Sequence, residues 1–137
     1  MSTLKLEIVT PTAKVFSGDV DMVVVPGAEG ELGIMPMHIP LMTELKPGEL
    51  KITQKGEEIF MAVGSGFVEV TQDHVSVLTD MALEEKEINE TTAQEAIARA
   101  QEALRQGLLG GEEVATVEAN LAKSLAQIQV KRRKRHS

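Results

Sequence analysis

The sequence predicts a mostly β chain with an α-helical end: an N-terminal antiparallel β-sandwich or flattened barrel followed by a C-terminal antiparallel helical hairpin. Three observations predict it. Up to about residue 86, apolar residues alternate or form short β-branched runs, cut roughly every 8 to 12 residues by Gly, Pro, Asp or Lys-Gly signals. After Glu87 the apolar spacing turns helical, and Gly110-Gly111 divides that region in two. The only aromatic residues are Phe16, Phe60 and Phe67, so the core must be built mainly from Val, Leu, Ile and Met.

The elements follow in order. Leu4, Leu6 and Ile8 alternate with Lys5 and Glu7 before Pro11, and Val20 to Val25 forms a β-branched run stopped by Pro26-Gly27, with a turn expected around Ser17-Gly18 between the two strands. Further strands are expected near Leu32 to Ile34, Met42 to Leu45, Glu49 to Gln54, Glu57 to Val63, Gly66 to Thr71 and His74 to Asp80, with hairpin turns at Lys55-Gly56 and Gln72-Asp73. Gly64-Ser65-Gly66 interrupts a strand pattern and marks a bulge or a close backbone approach. Domain one is therefore 1–86 and the helical part 87–137.

Asn89 is placed to cap a first helix with the stripe Ala93, Ala96, Ile97, Ala100, Ala103, Leu104 and Leu108. Gly110-Gly111 would stop it. A second helix from about Glu112 carries Val114, Val117, Leu121, Leu125 and Ile128 on one face, with Glu112 and Glu113 at its positive end. Each helix should run for roughly 18 to 22 residues, about 27 to 33 Å. The first stripe is largely Ala, so little apolar area is buried between the helices and their separation is cheap. Isolated helices of this length are marginal in water, so the hairpin needs the sandwich or a partner to settle it.

Composition bounds what the chain can do. Residues 1–86 hold six basic and fourteen acidic side chains, a net of -8, whereas 87–137 hold eight and seven, a net of +1. Five of those basics are consecutive, Lys131 to Arg135, giving an acidic body and a basic tip that suit different partners. The absence of cysteine removes disulfides and thiolate chemistry, and suits a reducing compartment. The start MSTLKLEIVT lacks the order of a secretory signal, and no stretch approaches the roughly 20 apolar residues of a membrane span.

Catalytic patterns are missing. Gly27-Ala28-Glu29-Gly30-Glu31-Leu32-Gly33 lacks the Lys-Ser/Thr ending of a phosphate loop, and its carboxylates would repel phosphate. Gly64-Ser65-Gly66 lacks the third Gly of a dinucleotide fingerprint. His38, His74 and His136 fall in separate segments, so no metal site is expected. On residues alone, His38 between Pro36 and Pro40 reads as a loop histidine bonded to nearby backbone. The basic block reads either as a contact for nucleic acid, anionic lipid or an acidic protein, or as a solvated tail.

The order of elements and the segment VPGAEGELGIMPMHIPLMTELKPGEL, Val25 to Leu50, closely resemble the epsilon subunit of F-type ATP synthases. The resemblance extends over Thr10-Pro11, Phe16-Ser17-Gly18, Gly64 with Gly66-Phe67-Val68, the Ala-rich helix, and the Leu121-Ala122 to Gln127-Ile128 region. One departure is Met37, where that family usually has Gly. The resemblance implies a non-catalytic central-stalk rotor part: a sandwich packed on the gamma subunit and the c-ring, attached to the cytoplasmic face of the inner membrane only through the complex. It implies that Glu29, Glu31 and His38 lie in the loop that approaches the c-ring and gamma.

For the hairpin it implies two states, folded on the sandwich or extended along gamma, where it blocks ATP hydrolysis by the catalytic alpha and beta subunits. Lys123, Lys131, Arg132, Arg133, Lys134 and Arg135 are then the expected contacts to an acidic segment of beta. Some relatives bind ATP at the hairpin through Ile/Leu-Asp-x-x-Arg-Ala. Here the stretch is Ile88-Asn89-Glu90-Thr91-Thr92-Ala93, without the carboxylate and the guanidinium. Asn89, Ala93 and Arg99 mark where such a nucleotide would sit, but the usual charge-assisted contacts cannot form and no cofactor is expected. With these partners no nucleic acid is expected; the alternative is a free-standing interaction module whose basic tail binds nucleic acid or anionic lipid.

Overall fold

The computed structural model describes residues 3–135, with side chains to Arg133; the predicted contacts Lys134 and Arg135 have described helical backbone only, and His136 lies outside the described residues. Ten strands come first: β1 (Leu4–Thr10), β2 (Ala13–Val20), β3 (Met22–Gly27), β4 (Gly30–Ile34), β5 (Leu41–Leu45), β6 (Gly48–Gln54), β7 (Glu57–Val63), β8 (Gly66–Val70), β9 (His74–Thr79) and β10 (Ala82–Glu84). A single 3-10 turn, Glu85–Glu87, leads to α1 (Glu90–Gln106) and α2 (Gly111–Arg135).

The strands join in the order β10-β7-β6-β3-β5-β8-β9-β1-β2, with β4 paired to β3. All pairings are antiparallel except β1 with β9, which is parallel and pairs Leu6 with Val75. The end strand β2 curls back against β6, where Gln54 Nε2 donates to the Asp19 carbonyl at 2.8 Å. A flattened barrel results.

Its core follows from period-two alternation. Leu4, Leu6, Ile8, Val23, Val25, Leu50, Ile52, Met61, Val63, Val68, Val70, Val75 and Val77 point inward and are buried together, with no aromatic ring among them. A second, smaller cluster lies outside the barrel wall. Ala62 and Ile88 meet Ala126 and Val130 of α2, with Phe60, Met81 and Leu83 around them. The consecutive buried residues Met61, Ala62 and Val63 are thus explained: β7 has the core on one face and α2 on the other.

The first hairpin differs from the expectation. Ser17-Gly18 does not turn; both lie inside β2, paired with Glu7 and Leu6, and the reversal occurs at Pro11-Thr12 between Thr10 and Ala13. Proline fixes φ and withholds an amide donor, which suits the turn better than the ladder. Pro26-Gly27 likewise closes β3 from within, with Gly27 opposite Gly30. Lys55-Gly56 turns as expected, both residues at positive φ (52° and 81°), with the Lys55 amide held by Asp21 Oδ2 at 3.0 Å.

The close approach expected at Gly64-Ser65-Gly66 is present. A Cβ at Gly66 would lie 1.8 Å from the Leu78 carbonyl oxygen, so a side chain there has no room. That tight crossing sets the register of β8 against β9.

In the helical part, Asn89 caps α1 as expected, its Oδ1 accepting from the Thr92 amide at 3.0 Å. The stop is earlier than Gly110. Gly107 adopts the left-handed conformation (φ 69°) that ends α1, which leaves Leu108 84% exposed rather than on the stripe. α2 has 25 residues, longer than expected, because its last turns rest on the sandwich as well as on α1.

Candidate functional site

The C-terminal half of α2 is where the acidic body and the basic tip meet. Its sheet-facing stripe is Lys123, Ala126, Gln127, Val130 and Arg133, a spacing of three and four residues. The stripe joins apolar stems to polar heads: Ala126 and Val130 bury in the small cluster, while the long side chains reach outward to partners on the strands. Lys123 Nζ meets Asp80 Oδ2 at 2.8 Å. Gln127 Nε2 donates to Met81 Sδ at 3.2 Å.

One turn further, Lys131 Nζ lies 3.1 Å from Glu85 Oε1 and also donates to the Glu85 carbonyl at 3.3 Å. Arg133 meets the most enclosed of the carboxylates. Its Nε donates to Glu49 Oε2 at 2.7 Å, and the guanidinium carbon sits 4.9 Å from the centroid of Phe60. The Glu49 side chain is only 10% exposed. Arg133 closes a hollow also lined by Val24, Glu31, Lys51, Glu58 and Phe60. The Glu49 hydrogen bond and then the Glu49 charge raise the Arg133 pKa above its ordinary value, and the charges of Glu31 and Glu58 add to the effect.

Arg132 points the other way. Its Nε donates to Glu90 Oε1 of α1 at 3.4 Å, so this pair ties helix to helix, whereas the pairs of Lys123, Lys131 and Arg133 tie α2 to the residues before Ile88.

The residues expected to act together in the 25–50 segment have different surroundings. Glu31, on β4 opposite Pro26, shares the hollow of Arg133, whereas Glu29 is exposed in the tight turn before Gly30. His38 is half-buried in the β4–β5 loop and donates from Nδ1 to the Ile39 carbonyl at 2.7 Å, the backbone bond its setting suggested. Of the nucleotide-marking residues, Ala93 is buried, while Asn89 and Arg99 are exposed, Asn89 being committed to its cap. Among the described residues no group of His, Asp and Glu could hold a metal ion.

One surface escaped the sequence reading. Met42, Phe67 and Leu78 are large and exposed on the outer face of β5, β8 and β9, with Phe67 paired in register to Leu78. Met35, Met37 and Ile39 are exposed in the adjoining loop. The signal was present: Phe67-Val68 and Val77-Leu78 put apolar residues on both faces of strands that a one-sided sandwich would alternate. An apolar surface of this kind on a protein with a sealed core marks an interaction site.

Comparison with known proteins covers nearly the whole chain. Residues 3–85 match the family model described as ATP synthase, Delta/Epsilon chain, beta-sandwich domain, and residues 86–132 match ATP synthase, Delta/Epsilon chain, long alpha-helix domain. The chain is 43% identical over 136 residues to the ATP synthase epsilon chain of Alkalilimnicola ehrlichii, spanning 98% of this chain and 96% of that one. It is also 43% identical over 133 residues to the epsilon chain of Halorhodospira halophila, spanning 94% and 92%. In fold it resembles a chain of the Euglena gracilis mitochondrial ATP synthase (OSCP/F1/c-ring), with TM-score 0.76 and 19% identity over 89% of this chain and 77% of that one.

Proposed function

The chain belongs to the ATP synthase delta/epsilon chain family, and from that premise we propose that it is the epsilon subunit of a rotary synthase's central stalk, with a sandwich that attaches and a hairpin that regulates. It carries no chemistry of its own in this reading. The sandwich docks on gamma and the c-ring and turns with them, so that ion flow through the ring is coupled to synthesis in the alpha and beta subunits. The hairpin, when extended, restrains ATP hydrolysis.

One observation carries the proposal: the main core of the barrel is built from strand residues alone, with none from the hairpin. The residues beneath α2 form a separate cluster in which only Ala62 and Ile88 are contributed from before α1 as buried residues. A body that keeps its fold when the helices leave is what a docked rotor part with a movable arm requires. The apolar outer face at Met42, Phe67 and Leu78 supports docking, since torque passes through an extended packed interface with many contacts. No helix among the described residues is long and apolar enough to cross a membrane, so in this reading attachment at the cytoplasmic face runs through the complex.

Glu29 and Glu31 on the β3–β4 hairpin and His38 in the following loop are the proposed contacts toward the ring and gamma, acting by shape and charge without proton transfer. Lys123 and the block from Lys131 to Arg135 are the proposed contacts toward beta. A tagged chain copurified with separately expressed gamma tests the attachment: a stable complex is expected, and replacing Phe67 with Asp should abolish it while the free chain stays folded. Failure of the unaltered chain to bind gamma would overturn the reading.

A further inference from the structure

We propose that the three ion pairs between α2 and the strand body, Lys123 with Asp80, Lys131 with Glu85 and Arg133 with Glu49, form a releasable clasp that holds the hairpin down. In it, the body's own carboxylates compete with any acidic partner for the same cations. The proposal rests on the reading of the hairpin as movable and names what regulates it.

The geometry supports a clasp over incidental surface pairing. Exposed single pairs contribute little, because side-chain ordering and salt offset the attraction. Here the three cations are partly covered and all reach from one helix to the strand body, so a single motion of that helix makes or breaks all three. Each is aligned by a further contact or by apolar burial: Lys131 has a second bond to the Glu85 carbonyl, Arg133 lies over Phe60, and the Ala126 and Val130 side chains fix the helix between them.

Glu49 is the keystone. With α2 in place and Arg133 removed, its largely covered carboxylate would be left without a cation beside Glu31 and Glu58. Release of the whole helix rehydrates Glu49 but leaves three carboxylates around Lys51, which already pairs with Glu58 at 3.3 Å. The body therefore attracts the tip back. An acidic segment on a partner must match this attraction, and electrolyte weakens both contacts. Arg132, tied to Glu90, stays with the hairpin when the clasp opens and is lost only if the two helices part.

The absence of cysteine makes the test clean. The full chain carries spin labels at Lys55→Cys and Gln129→Cys, both exposed positions outside the clasp, and the distance between them is measured in dilute and in concentrated salt. A single short distance is expected in dilute salt, with a longer population growing as salt rises. Arg133→Glu and Glu49→Arg should each lower the ratio of short to long by about tenfold or more, and the double exchange should restore it to within about threefold. Glu118→Lys, a charge reversal of the same size and sign as Glu49→Arg but placed on α2 outside the clasp, should leave it unaltered, and backbone NMR of the strands shows whether each variant remains folded.

Retention of the short distance in Arg133→Glu, failure of the double exchange to recover it, or equal opening by Glu118→Lys would overturn the clasp. Such a result would leave the movable-arm reading standing. That reading falls instead if the two labels stay close even with all three cations, Lys123, Lys131 and Arg133, neutralised in concentrated salt.

Discussion

Met37 holds a backbone conformation that its side chain opposes. Its φ is 70°, in the left-handed region, and its side chain is 67% exposed, so nothing it packs against compensates. The turn is fixed regardless, because the Met37 amide donates to the Gln72 carbonyl at 3.0 Å and the His38 amide to the Met35 carbonyl at 3.2 Å. These two bonds account for how the turn keeps its shape with Met at this position, where the resemblance led to the expectation of Gly. Met37→Gly should raise the free energy of unfolding by about 0.5–1 kcal/mol, the relief of left-handed strain less the entropy a glycine adds to the unfolded chain, read from the urea midpoint. The site of the strain was legible in the sequence, but its sign was not. Only the paired amides reveal that the loop keeps its shape when glycine is absent.

At the scale of elements, β1, β2 and β9 are strapped together by one carboxylate. Glu7 of β1 lies 2.7 Å from Lys14 Nζ of β2 and 3.0 Å from His74 Nε2 of β9. The Lys14 hydrogen bond, then its charge, and in smaller part His74, lower the Glu7 pKa from its ordinary value of 4.5. A lowered folded-state pKa stabilises the fold fully above the unfolded value, and that contribution is lost as pH falls through the folded one. Urea midpoints followed from neutral pH into the acid range should therefore fall more steeply for the unaltered chain than for Glu7→Gln, the two curves converging below the folded pKa. Parallel curves would remove the strap from the account.

The helices show where pattern reading reaches its limit. The cap at Asn89 was legible because it depends on one side chain and the amide three residues on. The end of α1 was misplaced because Gly107, Gly110 and Gly111 are equally permissive in sequence, and the tertiary path selected Gly107. The stripe of Val114, Val117, Leu121, Leu125 and Ile128 gave one face of α2, although Leu125 remains half exposed. Its other working face was missed, since Lys123, Gln127 and Arg133 bury stems while their heads find partners far away in sequence. Long-range ion pairs leave no local signal.

For the whole molecule, the division into a barrel and a hairpin was legible because the apolar period changes from two to 3.6 at one place. The parallel pairing of β1 with β9 was not, because closing a barrel is decided by strands far apart in sequence. The two apolar clusters are the molecular basis for treating the barrel as a body and the hairpin as an arm. Cutting after Lys86 removes Ile88 and α2, uncovers Phe60, Met81 and Leu83, and leaves the main core intact. The most direct test is the ATP hydrolysis rate of a soluble complex rebuilt with either the full chain or the chain ending at Lys86, at equal and saturating occupancy of gamma. The account predicts that the shortened chain still occupies gamma and that hydrolysis rises severalfold; an equal rate with both chains would contradict it.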